Sequence, residues 1–104
     1  MPDQSDLELV QIFRERGDHT AFADLIRRHR GWVQRVCKRF LRSQDLAEDV
    51  TQEVFTRSLE KLDTFRGTNF PGWLKAIAMN CCLSVIEKEK RWVALEPGGD
   101  SRTS

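Results

Sequence analysis

Cysteine and histidine are the residue types here most capable of covalent or metal chemistry, and their spacing argues against it. Cys37, Cys81 and Cys82 are an odd number of thiols, none in a C-x-x-C pair. Neighbours such as Cys81 and Cys82 make poor disulfide partners, and metal-site spacing is missing. Three reduced thiols, at least two in or near a helical core, are expected. His19 and His29 stand on separate stretches with no Cys or Asp placed to complete a site. There is no G-x-x-x-x-G-K, no G-x-S-x-G and no H-E-x-x-H. Neither catalysis nor a cofactor is expected, and an enzyme or metal protein built on the three cysteines is the outlying alternative.

Binding chemistry is better represented. The stretch FRGTNFPGWLKAIAMNCC, from Phe65 to Cys82, sets Phe65, Phe70 and Trp73 around a break made by Gly67, Pro71 and Gly72. Bases stack on aromatic faces while Lys and Arg hold phosphates, so aromatics on a loop beside a basic helix suit single-stranded nucleic acid. The competing reading is that these rings pin the loop to a core, because Phe70 and Trp73 fall on an apolar stripe. Charge is segregated although the net is only +1. Residues 1–26 are net −4, residues 27–42 carry seven bases and no acid, residues 43–63 are net −4, and residues 64–92 are net +3. Such blocks can meet a polyanion on one face and a basic protein on another, or complement each other within the fold.

The elements that position these residues read as helices throughout. Ser5 and Glu8 form an S-x-x-E capping box, Leu7, Val10 and Phe13 share a face, and Gly17 stops the first helix. A second runs from Asp18–Thr20 to about Arg42, with Phe22, Leu25 or Ile26, His29, Val33, Val36 and Phe40 on its stripe. His29 there is expected to be a packed core-edge residue. A third is expected to open on an Asp45-to-Glu48 capping box and to bury Leu46, Val50, Val54, Ser58 and Leu62. The fourth follows the break, with Pro71 in its first turn, where no backbone donor is needed. Its apolar face is Phe70, Trp73, Leu74, Ile77, Ala78, Cys81, Val85 and Ile86, and it ends near Trp92. The expected fold is all-α, a compact bundle of about four helices over residues 1–92, with 93–104 as a linker-like tail. No apolar run approaches the ~20 residues of a membrane span, and the acidic N-terminus lacks a signal pattern, which places the chain in the cytoplasm.

Three blocks carry a family likeness: AFADLIRRHRGWVQRVCKRFL, DLAEDVTQEVFTRSLEKLDTFRG and FPGWLKAIAMNCCLSVIEKEKR. Together they resemble the N-terminal (region 2) domain of bacterial extracytoplasmic-function sigma factors, over about residues 5–92. The linked pattern D-x-x-Q-E-V-F, a helix, F-R-G, a short gap and W-L is the most specific part. The resemblance implies a transcription initiation domain with two surfaces. One docks on the clamp helices of the RNA polymerase largest subunit, and Asp49, Gln52 and Glu53 are its candidates. The other reads the melted −10 strand of promoter DNA. Its candidates are the loop Arg66, Thr68, Asn69 and Phe70, then Lys75, Met79, Asn80, Ser84 and Lys88 on an exposed helix face, with Arg91. Asn80 stands out among them, since a carboxamide offers both donor and acceptor to an unstacked base. An anti-sigma protein is a further implied partner.

Two departures accompany the likeness. Glu87 and Glu89 interrupt the basic end of the last helix, which lowers its positive potential. The family also has a second, helix-turn-helix domain, so the chain reads as a fragment ending where a linker would begin. The alternative function is a sigma-like protein-interaction module without useful DNA affinity.

Overall fold

Capping residues set most of the helix boundaries. A computed structural model describes the backbone of residues 4–95 and the side chains of residues 4–90. The first helix, α1, is Asp6–Arg16. The Ser5 hydroxyl accepts from the Glu8 N–H while the Glu8 carboxylate accepts from the Ser5 N–H, so the box read from the sequence forms. Gly17 ends α1 at φ 64°, a left-handed conformation that a glycine adopts without a Cβ clash. Helix α2, His19–Leu41, starts on an Asp18 cap and ends with Arg42 at φ 58°. Helix α3 is Gln44–Lys61. Its cap is Ser43, whose hydroxyl accepts from Leu46 N–H at 3.2 Å, and not the expected Asp45–Glu48 box. Ser43 has the same short hydroxyl reach two residues earlier, so Asp45 falls inside the first turn. A 3-10 turn, Leu62–Thr64, follows, and α4 runs from Phe70 to Leu95, beyond the expected end near Trp92. The described residues are all-α, with no strand among them. The expected tail lies largely outside them.

Helix α2 packs against each of the other three. Its buried stripe is Phe22, Leu25, His29, Val33 and Cys37. Phe40, expected to continue that stripe, is 41% exposed, because the helix ends one residue later and Cys37 already closes the core. On α1 the buried pair is Leu9 and Val10, and Leu7 is 36% exposed, so the apolar face sits further round than expected. On α3 the stripe of Val50, Val54 and Ser58, leading to Leu62, is buried as read. Ser58 and Thr51 satisfy their hydroxyls on carbonyls of their own helix, Phe55 O at 2.9 Å and Ala47 O at 2.7 Å. Each fully buried leucine or phenylalanine of this core contributes ~1.5–3 kcal/mol.

One polar cluster fastens α1 to α2. His29 Nε2 lies 3.0 Å from both carboxylate oxygens of Asp6, and His29 Nδ1 is 2.9 Å from Trp32 Nε1. An indole N–H can only donate, so Nδ1 accepts and the ring proton sits on Nε2, where it donates to Asp6. His29 is thus a satisfied core residue, as its position on the apolar stripe suggested.

All three cysteines are buried free thiols. Burial, and then the Cys37 thiol beside it, pushes Cys82 up to about 12. Burial also raises Cys81. These folded values lie above the ordinary thiol value, so the folded state keeps protons that unfolded thiols release. That stability is fully present below the unfolded value of about 8.5 and is lost as pH rises toward about 12. A thiol reagent such as Ellman's should label none of the three in the native chain near pH ~8 and all three after denaturation. Rapid native labelling of Cys81 would show that the α3–α4 seam opens, and of Cys82, beside Cys37, that α4 parts from α2.

Candidate nucleic-acid interface

The loop before α4 is built on buried aromatics. Phe65 and Phe70 are 3% and 1% exposed, and Trp73 is half-buried. Their ring centroids lie 5.3 to 5.7 Å apart, and Phe70 also meets the His29 ring at 5.5 Å. Edge and tilted contacts of this kind add ~0.5–1.5 kcal/mol each beyond area burial. The rings therefore hold both ends of the loop down, and only Arg66, Gly67, Thr68 and Asn69 are left facing solvent. Gly67 makes the reversal at φ 89°, a backbone angle that side chains rarely tolerate.

Two arginines brace this loop. Arg14 of α1 donates through Nη2 to the carbonyls of Leu62 and Phe65, the latter at 2.6 Å, with its guanidinium 5.8 Å over the Phe65 ring. Sequence reasoning missed Arg14. Nothing local marks it, because its partners lie about fifty residues away in sequence, and only a contact across the fold gives it a role. Arg66 turns back on the same segment and donates to Asp63 O at 2.6 Å and Phe65 O at 2.9 Å. Asn69 then starts α4. Its Oδ1 accepts from Gly72 N–H at 2.9 Å and its carbonyl accepts from Trp73 N–H at 3.1 Å. A Cβ at residue 72 would stand 2.5 Å from Asn69 Nδ2, so glycine leaves room for the cap.

A second feature is a groove of about 380 Å³ between α3 and α4. Asp49, Glu53 and Arg57 contribute from α3, and Asn80, Ser84 and Lys88 from α4. Glu53 accepts from Arg57 Nε at 2.8 Å, with both side chains half exposed, and this bond raises the Arg57 guanidinium above its ordinary value. The expected acidic patch is thereby partly neutralised by a base that the sequence reading did not include.

The candidate residues therefore separate into three places. Asp49 and Glu53 meet Asn80, Ser84 and Lys88 in the groove, whereas Gln52 is exposed but does not line it. Lys75 precedes Asn80 by five residues, ~140° around the helix, so the five α4 candidates do not share one face. Met79 is half-buried. Arg66, Thr68 and Asn69 are exposed on the loop, but Asn69 is also a helix cap. Phe70 is a correction: at 1% exposure its ring belongs to the core and has no face open to a base. The signal was present in the sequence, since its spacing to Trp73 and Leu74 is that of the apolar stripe. The Arg91 side chain lies outside the described residues.

A four-helix domain with an aromatic-pinned loop and a polar interhelical groove defines a binding module, and comparison supplies its class. The sigma-70 region 2 family matches residues 25–92, and the chain belongs to that family. It is 35% identical over 77 residues to the ECF RNA polymerase sigma factor SigW of Bacillus subtilis, covering 73% of this chain and 41% of that protein. It is 35% identical over 92 residues to the ECF RNA polymerase sigma-E factor of Escherichia coli, covering 88% of this chain and 46% of that one. The chain thus spans less than half the length of these curated relatives. Among solved structures, an engineered region 2 of sigmaE in complex with GTAAAA matches with a TM-score of 0.81 and 31% identity, over 91% of this chain and all of that one.

The cap geometry makes a prediction. Asn69→Ala removes the cap and should cost about 1 kcal/mol in urea unfolding. Gly72→Ala pushes the same side chain away and should cost a similar amount. The double variant should cost clearly less than the sum, because one hydrogen bond cannot be lost twice. Additive losses would show that residue 72 acts independently of the cap.

Proposed function

We propose that residues 1–92 act as the region 2 module of a cytoplasmic transcription initiation factor, binding RNA polymerase core and melted promoter DNA without catalysing a reaction itself. The observation that carries the reading is the structural match to a sigmaE region 2 that holds GTAAAA, extending over 91% of this chain at 31% identity. The aromatic-pinned loop lies within residues 25–92, which the family model matches. In this reading the exposed loop Arg66–Asn69 and the first turns of α4, with Lys75, receive the −10 strand. Phe70 supports the loop from below. Extruding a base costs a few kcal/mol, least from a strand that is already single. A loop held open in advance avoids adding its own ordering to that cost. Helix α3, through Asp49, Gln52 and Glu53, docks on the clamp helices of the polymerase largest subunit, and an anti-sigma protein competes for the same surfaces.

The groove supports a second reading for part of the site. Asn80, Ser84 and Lys88 open beside Asp49 and Glu53, the residues the first reading gives to the polymerase. They can belong to the protein surface instead of the DNA surface, and in the extreme case the chain is a protein-interaction module alone.

Two variants separate the readings. Asp49→Lys combined with Glu53→Lys should weaken binding to a clamp-helix fragment by ~2–5 kcal/mol, the cost of breaking a desolvated charge pair, with binding to a −10-like single strand kept. Asn80→Ala should weaken binding to the preferred strand by ~1–3 kcal/mol and leave a scrambled strand nearly unchanged. If Asn80→Ala instead lowers clamp affinity and spares both strands, Asn80 is a polymerase contact. If the chain binds neither strand at low salt, the DNA half of the proposal fails.

A further inference from the structure

Neither surface above uses the strongest charge feature of the molecule. Residues 27–42 hold seven bases and no acid. Only two of the seven form ion pairs among the described residues, Arg27 with Asp24 and Arg28 with Asp6. Arg30, Arg35, Lys38, Arg39 and Arg42 are all exposed. Arg35, Lys38, Arg39 and Arg42 follow the i, i+3, i+4, i+7 spacing of one helix face. Like charges at that spacing destabilise a helix by ~0.2–0.5 kcal/mol per pair. The helix dipole favours bases in the last turn by ~0.3–1 kcal/mol, which accounts for Lys38 and Arg39. It does not account for Arg30 or Arg35, which stand too far from the C-terminus.

We infer that the solvent face of α2 from Arg35 to Arg42 is a second DNA-binding surface, one that holds the phosphates of double-stranded DNA without reading bases. The inference rests on the reading that the chain works at promoter DNA. The face is shaped for this contact. Gly31 leaves a bare strip in which the Arg35 guanidinium lies 3.6 Å from the place a Cβ would occupy. A shallow depression beside it is lined by Trp32, Arg35, Val36, Lys38 and Arg39. The Trp32 indole N–H is already given to His29 Nδ1, so the polar groups that line the depression are cationic. Such groups position a backbone and carry no sequence information.

Length and rigidity favour duplex over single strand. Arg35 to Arg42 spans ~10 Å of helix. Duplex DNA presents one charge per ~1.7 Å along a rod, so a stretch of that length carries about six phosphate charges. Single-strand sites instead alternate bases with aromatic platforms. The aromatic beside these bases is the half-buried Trp32. Phe40, exposed beyond the end of the core, stands ~100–160° round the helix from Arg35, Lys38, Arg39 and Arg42.

The test is anisotropy of the 104-residue chain with a labelled duplex lacking any −10-like sequence, across a salt series. A −10-like single strand is the second probe, and circular dichroism checks the fold. The native chain should bind the duplex with a steep salt dependence. Arg35→Gln with Arg39→Gln should reduce the slope of log K against log salt by about 1.8, or 0.9 per lost contact. The preference for the −10-like strand over a scrambled one should stay unchanged. Lys38→Gln with Arg42→Gln should act in the same direction, which covers the case in which the first pair fails to fold. An unchanged duplex slope in both pairs overturns the inference, as does failure of the native chain to bind the duplex at low salt. Loss of clamp-fragment affinity with duplex binding intact also overturns it and assigns the face to the polymerase. Loss of single-strand preference would count against the loop assignment and not against this surface.

Discussion

The Phe70 ring is the contact on which the rest of the arrangement depends. At 1% exposure it is wedged among Phe65, Trp73 and His29. These belong to the segment after α3, to the first turn of α4 and to α2. His29 in turn is held by Asp6 of α1 and by Trp32. One ring therefore joins four parts of the chain at the base of the exposed loop Arg66–Asn69. Arg14 completes the arrangement from α1 by donating to the carbonyls of Leu62 and Phe65. A loop so anchored loses little freedom when it binds, and that saving is the physical use of placing aromatics on both sides of a break.

Polar groups buried with the core are satisfied in ways that keep this joint rigid. Asp6 accepts from His29 and from Arg28, at 3.0 Å in each case. Thr51 and Ser58 are closed on their own helix. A half-satisfied network would invite water into the seam, whereas a complete one fixes a single packing. The same economy explains Gly72. It stands under the Asn69 cap because any Cβ there would take the space of the side chain that starts the helix.

Much of this was legible in the sequence. The Ser5–Glu8 box, the Gly17 stop, the all-α class and the stripes of α3 and α4 follow from spacing and capping chemistry that act within a turn or two. What was not legible depends on contacts across the fold. Ser43 displaces Asp45 as the α3 cap by a shift of two residues, within the range over which either residue type can serve. Phe40 fits the periodicity of α2 but lies past the end of its core. The α4 candidates form a plausible polar set in sequence, yet the packing of α3 and α2 on opposite flanks divides Lys75 from Asn80, Ser84 and Lys88. Arg14 and Arg57 gain their roles from partners that only the fold or a neighbouring turn supplies.

The charge blocks acquire an order once the helices are placed. Helix α2 presents bases to solvent, α3 presents acids partly offset by Arg57, and the two pack against each other. At physiological ionic strength exposed charges act over about 8 Å, less than the breadth of such a domain, so each face keeps its own sign locally. A polyanion approaching the molecule is drawn to α2 and repelled by Asp49 and Glu53, while a basic protein surface experiences the reverse. Near-zero net charge is therefore compatible with strong orientation. The Glu87 and Glu89 interruptions in α4 fit this balance, since they weaken attraction at the proposed base-reading helix and leave the broad pull to α2. In the proposed reading, sequence preference comes from the loop and from groups such as Asn80, whose hydrogen bonds are not screened, and capture comes from the α2 face, which reads nothing.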